Sequence, residues 1–194
     1  RGGKIFNRTA PVIKLAADAT EDEYLELLGV MNSSAVCFWL KQVAQKKGGD
    51  ADTPWLRTYA FNSTNVGRVP LPSKLPLDRP RTLDTLARQQ GDSAPATVVD
   101  TWLDEPTVNL AVALSTAEAE WSRLRARMIF EQEELDWEVY GLYGLIGVDL
   151  TYSGSAIGGI ALGERVFEID LARRVEGGEE ETTWFERHYS NPLT

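Results

Sequence analysis

Two apolar runs, Leu27–Met31 and Ala35–Leu40, flank a polar segment at Asn32–Ser34. The apolar residues fall on nearly every side of a helix drawn through both runs, which is typical of a buried helix. The pattern therefore predicts one buried helix from about Glu21 to about Gln45. Its polar centre must then hydrogen-bond either to the protein itself or to a partner.

The ends of this predicted helix carry their own signals. Thr20 precedes Glu23 by three residues, the spacing of a capping box, in which the two side chains close the first helical turn. Gly48 and Gly49 supply the residue type that commonly ends a helix. Cys37, the single cysteine, lies in the apolar part and is predicted to be a small buried side chain.

Elsewhere, alternating and three-and-four spacings predict short strands around this helix and further helices after it. The predicted strands are Ile5–Leu15, broken at Pro11, and Trp55–Phe61; the predicted later helices are Arg81–Gln90, Thr97–Leu103, Thr107–Leu145, Leu162–Arg174 and Thr182–His188. Closely spaced prolines between Pro70 and Pro80 indicate an extended connector. The predicted fold class is α+β: a small mixed unit at 1–79, with short strands and one buried helix, followed by a mainly helical region at 80–194.

The balance of charged residues also changes between residues 79 and 80. Residues 1–79 contain eleven Lys and Arg and eight Asp and Glu, a balance of +3, whereas residues 80–194 contain nine and twenty-one, a balance of −12. Phosphate contact therefore belongs to the first part, and the acidic part is better suited to a scaffold or to protein contact. One cysteine and one histidine leave no ligand cluster for zinc.

The first part holds amide, hydroxyl and cationic side chains that can reach base edges or phosphate oxygens. The candidate DNA-binding residues are Lys41, Lys46, Lys47, Arg57, Asn62, Ser63, Thr64, Asn65 and Arg68. The alternative for the Asn62–Asn65 cluster is a turn or helix cap, because Asn and Ser favour such positions for local reasons.

Several segments together carry a family resemblance. They read LLGVMNSSAVCFWLKQ, TYAFNSTNVGRVPLP, RMIFEQEELDWEVYGLYGL and LGERVFEIDLARR. The first two resemble the target-recognition part of adenine-specific DNA methyltransferases. All four resemble the C-terminal recognition and helical region of the large methyltransferase of phage growth limitation (BREX-type) defence, which is related to single-chain restriction-modification enzymes. The resemblance implies three partners: double-stranded DNA, the methyltransferase domain of the same protein, and other phage-defence proteins.

The chemistry of that family is missing from this sequence. The chain has no glycine-rich turn for S-adenosylmethionine and no Asn/Asp-Pro-Pro-Tyr/Phe segment to hold a flipped adenine. We expect a non-catalytic fragment without catalytic residues, metal or cofactor. The S-adenosylmethionine-dependent adenine N6-methyltransferase activity would then belong to the parent protein. The alternative is a protein-interaction scaffold of the same system that does not contact DNA. Without a signal peptide or a long apolar run, the sequence predicts a cytoplasmic protein and no membrane contact.

Overall fold

A computed structural model describes residues 12–48, 58–106, 108–152, 154, 160, 162–164 and 166–188. In chain order, its elements are α1 (Glu21–Met31), α2 (Ser34–Val43), β1 (Gln45–Lys47), β2 (Thr58–Ala60), α3 (Ser63–Val66), α4 (Asp78–Asp92), α5 (Pro95–Asp104), α6 (Leu110–Leu142), α7 (Val166–Glu176) and α8 (Trp184–His188). The two strands form an antiparallel sheet. A mainly helical chain with a small sheet confirms the α+β class.

The prediction of a single helix over residues 21–45 is wrong, because the chain breaks at Ser33. The fully buried Ser33 hydroxyl donates to the carbonyl of Val30 at 2.7 Å and accepts the N–H of Val36 at 3.3 Å. These bonds make Ser33 the N-cap of α2, with an extended backbone. Serine favours such caps over helix interiors because its short side chain competes for backbone groups. The capping box at the start of α1 is confirmed.

The second helix buries one face, so it is not apolar on all sides as predicted. Val36 and Leu40 pack with Val30 into the core of this region. The opposite face of α2 is exposed, and it includes Cys37. The expectation of a buried cysteine is therefore wrong, since it assumed one continuous buried helix.

The sheet begins where the sequence predicted the end of a helix. Helix α2 ends at Val43, and Ala44 is already extended. Residues 45–47 then pair with residues 58–60, with Lys46 opposite Tyr59 and Lys47 opposite Thr58. The predicted strand Trp55–Phe61 is confirmed over 58–60 and lies partly outside the described residues. The predicted strand at 5–15 lies mostly outside them, and its described part, 12–15, is irregular.

Packing divides the chain into two units. Unit 1 contains the described residues up to Arg81 together with Leu135–Thr151, and unit 2 contains Thr82–Glu134 and the described residues from Tyr152 onward. The division into a recognition part at 1–79 and a scaffold at 80–194 is a statement about roles and stays a prediction.

Aromatic side chains at the end of α6 pack in unit 1. Tyr143 packs against the cluster around Val30, and its hydroxyl donates to the carbonyl of Pro70 at 2.6 Å. Burial raises the pKa of Tyr143. Trp137 and Tyr140 meet edge to face with ring centres 5.6 Å apart. These contacts explain why the segment carries so many aromatic residues.

In unit 2 the long helix is confirmed, with bounds Leu110–Leu142 in place of 107–145. Arg127 pairs with Glu131 one turn later, and its guanidinium also lies over the Phe130 ring at 5.5 Å. The Phe130 ring meets Tyr152 edge to face at 6.0 Å. Leu124, also on α6, is almost completely buried.

Glu138, in the unit 1 stretch of α6, gives a pH-dependent prediction. Burial raises its pKa, Arg79 at 3.6 Å lowers it, and Asp78 and Asp149 raise it further. The folded state therefore binds the Glu138 proton more tightly than the unfolded state, so stability falls as the pH rises above the unfolded pKa, about 4.3. We expect Glu138→Gln to remove that fall. Urea unfolding between pH 4 and pH 7 measures it, and an unchanged pH slope would contradict the prediction.

Candidate nucleic-acid interface

Two described stretches of unit 1 carry positive charge and no carboxylate, and Asp50 and Asp52 lie between them in the sequence. Residues 33–48 and 58–77, called here the basic segment, contain five Lys or Arg and no Asp or Glu. The five cations are Lys41, Lys46, Lys47, Arg68 and Lys74, and all are exposed. A charge of +5 over these residues is more concentrated than the balance of +3 over residues 1–79 suggests. Such a surface can attract phosphate.

Three of the predicted lysines lie on two successive elements. Lys41 is on the exposed face of α2, in the last turn of the helix. Lys46 and Lys47 follow on β1, where neighbouring side chains point to opposite faces of the sheet. Lys46 shares its face with Tyr59, and the ring of Tyr59 stacks on Phe61 with ring centres 6.2 Å apart.

The Asn62–Asn65 cluster builds a short helix and docks it. The Asn62 side chain accepts the N–H of Asn65 at 2.8 Å, so Asn62 is the N-cap of α3. The Asn65 side chain donates to the carbonyl of Val43 at 3.1 Å, which holds α3 against the end of α2. The cap interpretation therefore accounts for both asparagines. Ser63 and Thr64 are exposed on α3.

Of the two remaining candidates, Arg68 lies within the described residues and Arg57 does not. Arg68 is exposed directly after α3, and its N–H donates to the carbonyl of Asn65 at 3.1 Å. Arg57 lies outside the described residues. The structure thus brings α3 to the end of α2 through the Asn65–Val43 contact, while the DNA role of each candidate stays a prediction.

Asp136 of α6 anchors the first turn of α2. Its carboxylate accepts the backbone N–H of Ser34 at 2.7 Å and also accepts the Ser34 hydroxyl. Asp136 is only 9% exposed. A carboxylate at a helix N-terminus is favourable because it meets unpaired N–H groups and the positive end of the helix dipole. The contact fixes the start of α2, the end opposite Lys41.

Other kinds of site find less support in the described part of the chain. No three His, Cys, Asp or Glu side chains there come together as a metal site. An open cavity of about 300 Å³ in unit 1 is lined mainly by apolar side chains, among them Leu27, Met31 and Val66. A second, of about 510 Å³ in unit 2, lies beside Trp121 and Arg125. None of the described helices has the length and apolar character needed to cross a bilayer.

Sequence reasoning missed two residues that shape this surface. Phe38 is 67% exposed on α2, although it was assigned to a buried helix. Phe38 precedes Lys41 by three residues, which places both on the same side of α2, and this spacing is the signal that could have revealed it. Asp136 lies 102 residues from Ser34 in the sequence, and no local pattern connects the two.

Comparison with known proteins shows what the chain is similar to. Residues 128–194 match a family model described as "Domain of unknown function (DUF7008)". The whole chain is similar to an adenine-specific methyltransferase. That relative is PglX of Streptomyces coelicolor A3(2), which is 44% identical over 207 aligned residues. The match covers 100% of this chain and 17% of the relative, so the chain spans about a sixth of its length. No solved structure matches the chain.

Proposed function

We propose that this chain is a non-catalytic part of an adenine-specific DNA methyltransferase of a phage-defence system and that unit 1 contacts the target DNA. The similarity to PglX along the whole chain supports the parent class. The basic segment, with five exposed cations and no carboxylate, is the observation that carries the DNA role.

In this proposal the chain positions the enzyme on DNA, and the rest of the enzyme catalyses methyl transfer. The chain lacks the S-adenosylmethionine turn and the adenine-holding segment. S-adenosylmethionine and the flipped adenine would be bound by the catalytic domain, which would be a partner of this chain. The cations of unit 1 would supply phosphate contacts that set register and orientation on the duplex.

Neutralising the basic segment tests the proposal. We expect the fourfold variant Lys41→Ala, Lys46→Ala, Lys47→Ala and Arg68→Ala to bind duplex DNA more weakly and with less salt dependence. Each lost phosphate contact reduces the slope of log K against log salt by about 0.9, so the slope should fall by up to roughly 3 to 4. Fluorescence anisotropy with labelled duplex over a salt series measures both quantities.

A matched variant in unit 2 controls for net charge. Arg123, Arg125, Arg173 and Arg174 are also exposed, and their replacement by alanine removes the same four charges. This control should change the salt slope much less, because two of these arginines already pair with carboxylates, Arg123 with Glu120 at 2.7 Å and Arg174 with Glu180 at 2.5 Å, within an acidic part of the chain. Equal slopes in the wild-type chain and the basic-segment variant would refute the DNA role.

A scaffold role without DNA contact is the second candidate. Unit 2 exposes apolar side chains at the end of α5 and the start of α6, with Leu103 66%, Val108 51% and Val112 54% exposed. Together with the acidic balance of residues 80–194, these suit a protein partner. Specific binding of the catalytic domain, lost in Leu103→Asp and Val112→Asp and accompanied by no DNA binding, would favour this candidate.

A further inference from the structure

The outward face of α2 has an unusual composition. Successive residues of a helix are rotated by about 100°, which places Ser34, Cys37, Phe38, Lys41 and Gln42 on one side. All five are exposed, whereas Val36 and Leu40 on the other side are buried. Phe38 is thus a large aromatic side chain in the middle of a polar and cationic face.

Phe38 is too exposed to contribute to the hydrophobic core of unit 1. The core cluster around Val30 takes Trp39 from the same helix, and Phe38 stays 67% exposed. Its own carbonyl accepts the side-chain amide of Gln42 at 3.4 Å, which orders the neighbouring polar group. A rigid, exposed aromatic side chain with few rotatable bonds is a common anchor of binding surfaces.

The charge around Phe38 selects the kind of partner. Lys41 follows three residues later on the same face, and Lys46 and Lys47 continue the exposed positive charge on β1. The carboxylate that contacts α2, Asp136, is buried at the opposite end of the helix and engaged by Ser34. A polyanion with apolar groups inside its charged outline is complementary to this face, and duplex DNA has that arrangement in its major groove.

We propose that α2 presents this face to the major groove of duplex DNA, with Phe38 in apolar contact with the bases and Lys41 on the phosphates. This rests on the proposed DNA role of unit 1 and adds to it the residue that contacts bases. Phosphate contacts alone carry no base information, so Phe38 would be a specificity-determining position. An α-helix fits the width of the major groove, and phenylalanine can contact the thymine methyl group there.

Phe38→Ala tests the proposal in the complete chain. We expect it to weaken binding to duplex DNA about tenfold, in line with the loss of apolar burial of one phenylalanine side chain. The salt slope should stay unchanged, because no phosphate contact is lost. Binding to heparin, a polyanion without bases, should also stay unchanged. Phe38→Tyr, which keeps the ring, should bind DNA nearly as well as the wild-type chain.

Controls separate this contact from folding and from general apolar effects. Because Phe38 is exposed, the melting temperature of Phe38→Ala should match that of the wild-type chain. Leu103→Ala removes an equally exposed apolar side chain from α5 and should leave DNA binding intact. If Phe38→Ala binds DNA normally, or loses DNA and heparin binding equally, the base contact is overturned while the phosphate surface stands. If the wild-type chain shows no salt-dependent DNA binding, both proposals fail.

Discussion

Gly29→Ala is expected to destabilise unit 1 by about 2–3 kcal/mol, although alanine is the better helix former. Gly29 is a buried residue of α1, and its Cα faces the rings of Pro76 and Pro80. An added Cβ would lie 3.2 Å from Cγ of Pro76 and also 3.2 Å from Cβ of Pro80, with Cγ of Pro80 closer still. Proline rings cannot rotate aside, so α1 or the proline segment would have to shift.

A second glycine provides a control of opposite sign. Gly141 is an exposed residue near the end of α6, and an added Cβ there meets no atom within 4 Å. Gly141→Ala should therefore stabilise the chain by about 0.5–1 kcal/mol, the gain in helix propensity alone. Chemical unfolding followed by tryptophan fluorescence measures both variants. A Gly29→Ala chain as stable as wild type would mean that the proline segment does not pack against α1 as described.

The contact also explains the proline-rich segment, which the sequence suggested was an extended connector. Pro76 is fully buried and Pro80 is buried within the first turn of α4, which begins at Asp78 rather than at Arg81. Proline is tolerated there because the first N–H groups of a helix have no partner within it. Composition alone predicted an extended connector. The structure uses the same residues as a packing surface, because their rigid rings fit against a glycine.

Local signals were the part of the fold that could be predicted. The capping box of Thr20 and Glu23 marks the start of α1, and the spacing of apolar residues marks the long helix α6. The break at Ser33 could not be read from apolar spacing, since both flanking runs continue the same periodicity. It depends on a side chain that caps the next helix and on a carboxylate that is distant in sequence.

Some features of the candidate site could also be predicted from the sequence, and others could not. The residue types of the basic segment could be predicted, because its five cations are visible in the sequence, although Asp50 and Asp52 lie between its two stretches. The placement of Lys46 and Lys47 could not, because a three-residue strand has too little alternation to be recognised and its register depends on the pairing with Thr58–Ala60. Asn62 and Asn65 illustrate the opposite difficulty: amides that suit base recognition also form the cap and the docking contact of α3.

Asp136→Ala is expected to cost about 3 kcal/mol, because it removes the acceptor of two hydrogen bonds from Ser34 and the negative charge at the start of α2. Asp136 is buried and the contact with Ser34 is partly buried, so water can replace the carboxylate only in part. We also expect weaker DNA binding, since α2 carries both Lys41 and Phe38 and its first turn would lose its anchor. Urea unfolding, together with the exchange rate of the Ser34 amide proton, measures the effect.

Two further variants divide this loss into its parts. Asp136→Asn keeps an oxygen acceptor for the Ser34 N–H and loses the charge, so about 1 kcal/mol should be lost. Ser34→Ala keeps the N–H and removes the hydroxyl, with a similar expected loss. Because both changes affect one contact, Ser34→Ala should cost little once Asp136→Ala is present, and a double-mutant cycle measures this coupling. Additive losses would indicate that the two residues stabilise α2 independently. A coupling of 1 kcal/mol or more would establish that the exposed face of α2 is held in place from α6.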